Sequence, residues 1–413
     1  MLDKEEEKKV DRANIFKQIF SQFLINFGDV LINPKVTLPW LLQSLGAPLY
    51  LLGWLVPIRE SGSLLPQLVI AHFIYKVKVR KWVWVLGSLI QSLCVVVIGC
   101  AALLLDGASA GWVIIAALIV FSVARGLNSV ASKDVLGKTV VKNKRGRVSG
   151  WSSSASGFIT IGIAVCTLFF FESFQGNVSF YIWGIVAATL VWLVAALIYS
   201  FVQEPLSDVE DKGRNFIDVF GELSLLRTDS VFREFVIARS FFLCAALSAP
   251  YYVLIAQQRS ENGVLILGLF ILASGLASLL SSPFWGLFSD YSSRKVMMVS
   301  SLLSAFTGVV LFLTVKLFSE EVFVTWIIVI LYFVLSIAHQ GVRIGRKTYL
   351  VNLGEGNKRT SYVSVSNTII GFILLAMSSI SLLTYSISLA SLVLVFSVIT
   401  LAGVFVVIRL PEI

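Results

Sequence analysis

Histidine occurs twice and cysteine four times in 413 residues, and neither type is grouped at metal-ligand or disulfide spacing. Cys94, Cys100, Cys166 and Cys244 all fall inside apolar runs, where they read as small core residues. His72 and His339 stand far apart at the ends of apolar runs. A His/Asp or metal constellation of the kind an acyl or glycosyl transferase needs therefore has no basis, and the chain is expected to be no enzyme, with no catalytic residue, metal or cofactor. No G-x-x-x-x-G-K-[ST] occurs, so there is no loop of the type that cradles nucleotide phosphates. Charge is scarce as well: 14% of residues are charged, against about 25% in an ordinary soluble domain. No cleavable leader is visible. The first residues run acidic (Asp3 to Glu7) and then basic (Lys8, Lys9, Arg12), which reads as a solvated tail.

What fills the chain instead is hydrophobic sequence, 57% of it, in recurrent runs of about 20 residues, the length that spans a bilayer. The runs and their polar breaks predict twelve helices, at 15–38, 47–74, 81–105, 111–132, 149–171, 178–203, 233–257, 262–288, 295–316, 321–342, 361–384 and 388–409. The net charge of +9 does not point to nucleic acid, because the basic residues are concentrated in alternate loops: 76–81, 133–147, 294–295 and 343–359. The intervening loops carry Asp106, Glu172, Glu261, Glu320 and Glu321, with Arg259 and Lys316 the basic exceptions. That asymmetry is the positive-inside rule, and it puts the basic loops and both termini in the cytoplasm. The expected divisions are a cytoplasmic tail 1–14, a six-helix bundle 15–203, a cytoplasmic linker 204–232 and a second six-helix bundle 233–413. Within the linker, Phe216, Phe220 and Leu223 at helical spacing, with Asn215 as a possible N-cap, predict a short helix along the membrane surface.

The halves resemble each other. At an offset of 214 positions, Arg80 and Lys81 fall on Arg294 and Lys295, Trp112 on Trp326, Asn143-Lys144-Arg145 on Asn357-Lys358-Arg359, and Gly157-Phe158-Ile159 on Gly371-Phe372-Ile373. From 133 to 159, nine of 27 positions match without a gap, where this composition would give roughly two or three by chance.

Ionisable residues inside the predicted spans are few: Asp29 and Lys35, Arg59 and Glu60, Arg125, Arg239 and His339. Each charge in the hydrocarbon zone costs at least about 2.5–3.5 kcal/mol, so each needs a polar cavity or a partner. The first, second, fourth, seventh and tenth spans carry them.

Around these residues the chain resembles the major facilitator superfamily over its full length. Gly286-x-x-x-Asp290-x-x-x-Arg294-Lys295 looks like the family's loop signature between the second and third helices of a half. The resemblance implies a cytoplasmic latch in which Gly allows close helix approach, Asp meets a helix N-terminus or an Arg, and the basic pairs Arg294-Lys295 and Arg80-Lys81 anchor to headgroups. The first copy departs from the pattern, with His72 at the Gly position and Lys76 at the Asp position. Arg125-x-x-Asn128-Ser129 is similar to an Arg-x-x-Gln-Gly pattern of proton-coupled members. The glycine-proline motif of family exporters is absent from the serine-rich stretch 149–171.

The resemblance implies an all-α membrane protein of two six-helix bundles related by a parallel repeat. It also implies a monomeric secondary transporter in the lipid bilayer of a bacterial inner membrane, working by alternating access on a small-molecule substrate. Proton coupling is expected, as antiport exporting a small organic molecule, or alternatively as symport importing an anionic or zwitterionic metabolite. Asp29 is about 17 Å and Arg125 about 21 Å into their spans from opposite faces. They would meet, either to couple protons or as a static salt bridge. Glu60, Ser63 and Gln67 form one polar stripe with Arg59 roughly 100° away, so one of the charged pair is expected to face substrate. Lys35 either snorkels or adds a positive rim. Tyr251 and Tyr252, after Pro250, suit a gate or an interfacial belt. Arg239 is expected to snorkel to the cytoplasmic face.

Overall fold

The computed structural model describes residues 4–32, 37–48, 51–174, 178–207, 221–259, 263–318, 321–377 and 387–413. Among them the regular elements are helical. They are α1 (Lys4–Leu31), α2 (Thr37–Ser44), α3 (Leu52–Ser61), α4 (Gln67–Ile74), α5 (Lys81–Leu104), α6 (Gly107–Thr139), α7 (Arg145–Phe174) and α8 (Val178–Ser200) in the first half. The second half has a four-residue α9 (Leu225–Thr228), then α10 (Ser230–Gln257), α11 (Gly263–Tyr291), α12 (Ser293–Leu317), α13 (Glu321–Leu353), α14 (Gly356–Met377) and α15 (Leu389–Arg409). Eight helices among the described residues are long and apolar enough to cross a membrane.

α5 shows why these segments are spans rather than soluble helices. Trp84, Ser88, Gln91, Val95, Ile98 and Ala102 recur at three- and four-residue spacing and are buried. The opposite side is apolar too: Leu86, Leu93, Leu103 and Leu104 are exposed, as are Leu197 on α8, Phe306 on α12 and Phe405 on α15. Exposed apolar side chains in such numbers require lipid, not water. Some helix starts in the second half carry polar caps: Asp229 accepts from the Phe232 amide, Ser292 from Lys295 and Ser388 from Ser391. The expected second span is broken instead of continuous. Pro57 lies inside α3, the chain turns through 62–66, and Pro66, which has no amide hydrogen to give, precedes α4.

Two compact units emerge. Unit 1 comprises Met1–Val141, Glu172–Ser224 and Gly354–Leu375, and unit 2 comprises Lys142–Phe171, Leu225–Leu353 and Ala376–Ile413. Each unit thus takes a helix from the other half of the sequence, α14 in unit 1 and most of α7 in unit 2. The unit 1 core stacks Trp84 on Tyr199, with ring centroids 3.9 Å apart, and sets Phe121 edge-on to Trp192 at 5.3 Å. The unit 2 core gathers Tyr252, Phe270, Leu311, Leu335 and Val393.

The guest helices are held in the same way in both units. In unit 2, Ser154 Oγ donates to the Leu279 carbonyl at 2.6 Å; in unit 1, Thr368 Oγ1 donates to the Leu65 carbonyl at 3.3 Å. Each pair is the other displaced by 214 positions. The serines of α7 therefore serve helix packing: Ser278 Oγ also donates to the Ser153 carbonyl at 2.8 Å. A Cβ on Gly157 would stand 2.5 Å from the Leu279 amide nitrogen, so only glycine permits this approach. The linker residues Asn215, Phe216 and Phe220 lie outside the described residues, and Leu223 sits in a short 3₁₀ turn, Glu222–Ser224.

Candidate functional site

Unit 1 brings three ionised groups to one point. Asp29 lies in the last turn of α1, where the helix dipole is negative and a carboxylate is disfavoured. Each of its oxygens receives a different guanidinium. Arg59 Nη2 of α3 is 2.5 Å from Oδ1, and Arg125 Nη1 of α6 is 2.5 Å from Oδ2. Arg59 is nearly enclosed, its guanidinium 4.8 Å from the centre of the Phe121 ring, whereas the Arg125 side chain is 38% exposed. The group therefore holds two cations against one anion, and Arg125 is its open side.

Neighbouring residues fix its position. A Cβ on Gly28 would fall 2.5 Å from the Trp192 ring, so glycine beside Asp29 is what lets α1 settle against α8. One turn earlier on α1, Gln22 Nε2 donates to Asn26 Oδ1 at 3.1 Å.

The other expected site residues divide between this neighbourhood and helix packing. Glu60 is exposed at the end of α3. Ser63 donates to the Glu60 carbonyl, and Gln67, wholly buried, donates to the Ser63 carbonyl and receives the Asn367 amide of α14 at 2.5 Å. Asn128 is buried between α5 and α6, donating to Ser88 Oγ at 2.8 Å. Tyr251 is half-buried against Phe396, and Tyr252 is fully enclosed in the unit 2 core beside Tyr332. Lys35 lies outside the described residues. Arg239, expected to snorkel, is 8% exposed and packed within α10's surroundings.

The latch residues find protein partners. In unit 2, Asp290 accepts from the amides of Gly146 (2.6 Å) and Arg147 (3.1 Å) at the start of α7, and its carboxylate also meets the Arg147 side chain at 3.2 Å. That is a carboxylate placed on a helix N-terminus. Gly286 allows the approach, since a Cβ there would lie 2.7 Å from the Gly146 carbonyl. The basic pairs, expected at headgroups, also meet protein groups. Arg294 donates to the Leu410 carbonyl past the end of α15 and pairs with Glu412; Lys81 donates to the Ser200 and Val202 carbonyls at the end of α8. Both neutralise helix C-termini. Lys295 lies over the Tyr291 ring. Arg80 is fully buried, paired with Asp134 at 3.0 Å and donating to Thr360 and Asn357 of α14.

A family model matches more than half of the chain. The model described as Major Facilitator Superfamily covers residues 19–274. The chain belongs to the Major Facilitator Superfamily. Its members are transporters, and the apolar helices make this one a multi-pass membrane protein. Solved superfamily structures share the fold from end to end. The human organic anion transporter MFSD10 (TETRAN) is 14% identical, with 96% of this chain and 99% of that chain covered at a TM-score of 0.74. The proton:xylose symporter XylE is 11% identical over 98% and 97% of the two chains, at 0.73. The E. coli fucose:proton symporter FucP is 12% identical over 97% and 98%, at 0.71. At these identities the likeness is one of fold. No curated protein matches the chain in sequence.

Within this superfamily member, two groups of residues carry the site beyond those picked out by charge. Gly28, Phe121 and Trp192 place Asp29 and Arg59; the sequence signal was a glycine directly before an intramembrane aspartate. Asp134 organises the other charged cluster of unit 1, meeting Arg80, Lys138 and Arg359 while 1% exposed. It was hidden among the basic residues around it.

Proposed function

We propose that this superfamily member is a proton-coupled secondary transporter of an inner membrane, with both termini cytoplasmic, in which Asp29 carries the proton and Arg59 and Arg125 hold the substrate's negative charge. One observation carries this reading: a single carboxylate shared by two guanidiniums, each on its own oxygen. While Asp29 is ionised, it occupies both arginines and the group has one net positive charge. A proton on Asp29 abolishes both ion pairs and leaves two cations without a counter-ion. An anionic or zwitterionic substrate then replaces the carboxylate, so proton and substrate favour each other's binding.

That linkage belongs to symport. An antiporter exporting a cation needs a site where proton and substrate compete for a negative charge, and a group with two arginines offers the reverse. The export expectation leaned on the Arg125-x-x-Asn128-Ser129 resemblance, in which Asn128 donates to Ser88 Oγ and Arg125 pairs with Asp29. The described likeness to proton symporters and to an organic anion transporter accords with an anion taken up with protons. Glu60, at the end of the same helix as Arg59, is the other carboxylate of this region.

The test uses proteoliposomes and a panel of labelled organic anions, zwitterions and neutral compounds. The parent accumulates an anion or zwitterion under an inward proton gradient. Asp29→Asn loses accumulation by at least about 10-fold but still exchanges labelled for unlabelled substrate, because exchange needs no net proton movement. Accumulation by Asp29→Asn equal to the parent's would remove Asp29 from coupling.

A further inference from the structure

The second span breaks just beyond Arg59, and side chains replace backbone bonds lost there. In a continuous helix the Gly62 carbonyl would accept from residue 66, which is proline and has no amide hydrogen. The chain tightens instead. Leu64 N–H meets the Ser61 carbonyl at 3.0 Å and Gln67 N–H the Leu64 carbonyl at 3.3 Å, the three-residue spacing of a 3₁₀ turn. α4 then starts after Pro66, which offers no capping side chain. Thr368 of α14 takes that place from another helix. Its Oγ1 accepts the Leu68 amide at 3.2 Å, the second-position donor that a helix's own N-cap normally serves. Its hydroxyl hydrogen has the Leu65 and Leu64 carbonyls within reach, at 3.3 and 3.4 Å.

The repeat separates this arrangement from ordinary helix packing. At the offset of 214, Thr368 corresponds to Ser154, which donates to the Leu279 carbonyl of α11. Yet α11 runs unbroken from Gly263 to Tyr291, with Leu280 where Pro66 stands in unit 1. Ala273 occupies the position of Arg59. The unit that has the arginine is the unit that has the break.

The break is also wedged against the helix that carries the second arginine. A Cβ on Gly126, next to Arg125 on α6, would lie 3.0 Å from the Ser63 carbonyl oxygen, and one on Gly62 would lie 3.1 Å from Ser122 Cβ. On the α14 side, a Cβ on Gly371 would lie 3.1 Å from Leu64 Cβ. The turn is thus held between α6 and α14. Arg59 is in the last turn of α3, directly before it. A rotation of α3 by one residue, about 100°, would carry the guanidinium away from Asp29.

We propose that Thr368 is a positioning residue for the Asp29 group: by capping the break from α14, it fixes the direction in which α3 presents Arg59 to Asp29. Its consequence for transport rests on the role proposed for Arg59 in holding the substrate's charge.

Full-length parent, Thr368→Val and Thr368→Ser in detergent are compared by hydrogen–deuterium exchange, which needs no substrate. Valine keeps the volume and removes the hydroxyl; serine keeps the hydroxyl. Thr368→Val should raise exchange at least about 10-fold in peptides spanning 58–70 and in the α1 peptide around Asp29, with Thr368→Ser within about 2-fold of the parent. Exchange equal to the parent's, or a rise confined to α4 and α14, overturns the proposal. The second arm measures exchange of the labelled organic anion that the parent accumulates in proteoliposomes. Thr368→Val should raise its KM at least about 10-fold with turnover within about 3-fold, and Thr368→Ser should restore it. In an Arg59→Gln background, Thr368→Val should add nothing further. A KM rise there equal to that in the parent background overturns the proposal. If Arg59→Gln itself leaves KM unchanged while Thr368→Val still loosens the Asp29 peptide, the substrate role of Arg59 falls and the positioning stands. Should Thr368→Val fail to fold, Thr368→Ala takes its place in both arms.

Discussion

Asp134→Asn is the substitution whose cost follows most directly from the structure. The carboxylate is 1% exposed and serves three cations: Arg80 at 3.0 Å, Arg359 at 3.8 Å, and Lys138 one turn along α6. Asparagine keeps the shape and removes the charge. Lys138 retains Glu204 at 3.4 Å and is the least harmed. Arg80, with no exposed surface, keeps its neutral bonds to Thr360 and Asn357 but loses its counter-ion. Leaving a buried charge without its partner costs about 3–5 kcal/mol. At about 2 °C per kcal/mol, the low end for large domains, unfolding should move down by about 6–10 °C. The assay is thermal unfolding of purified protein at one fixed scan rate, since such transitions are rate-dependent. Glu412→Gln supplies the control: that carboxylate is 43% exposed and its pair with Arg294 is half in solvent, so it should cost under about 1 kcal/mol. Asp134→Asn unfolding within about 2 °C of the parent, or no lower than Glu412→Gln, would refute the view that Asp134 compensates Arg80.

Gly28→Ala should lower proton-driven uptake by about 10-fold or more with less effect on expression, because its Cβ would push α1 off Trp192 and draw Asp29 from its arginines; uptake rates of parent and variant in matched proteoliposomes check this. Gln67→Leu should destabilise by about 1–3 kcal/mol by stranding the Asn367 amide in a buried contact. The double substitution with Asn367→Leu should recover most of that loss, and unfolding temperatures of the three variants decide it.

Much of the helical layout could be read from the apolar runs. The predicted spans 81–105, 178–203 and 388–409 lie within a few residues of α5, α8 and α15. Helices that continue past the membrane were underestimated: α13 runs to Leu353 and α6 to Thr139 because polar, cationic turns can stay helical where apolar periodicity has ended. Depth counting brought Asp29 and Arg125 to one level, and they are in contact. It could not choose between Arg59 and Glu60, because adjacent residues differ by about 100° and only the break after Ser61 fixes which one turns toward α1. Arg80 was read as a headgroup anchor since local sequence shows only a basic pair. Its partners, Asp134 and the start of α14, are 54 and about 280 positions away. The repeat was plain in sequence, but not what it does: the equivalence of Ser154–Leu279 and Thr368–Leu65 needs coordinates.

The most direct measurement is proton movement itself, followed with a pH dye sealed inside proteoliposomes when substrate is added outside without an imposed gradient. The account predicts that an anionic or zwitterionic substrate acidifies the lumen of vesicles bearing the parent, and that Asp29→Asn vesicles show no change while still exchanging substrate. Substrate entry with no proton entry in the parent, or equal acidification by Asp29→Asn, would contradict it.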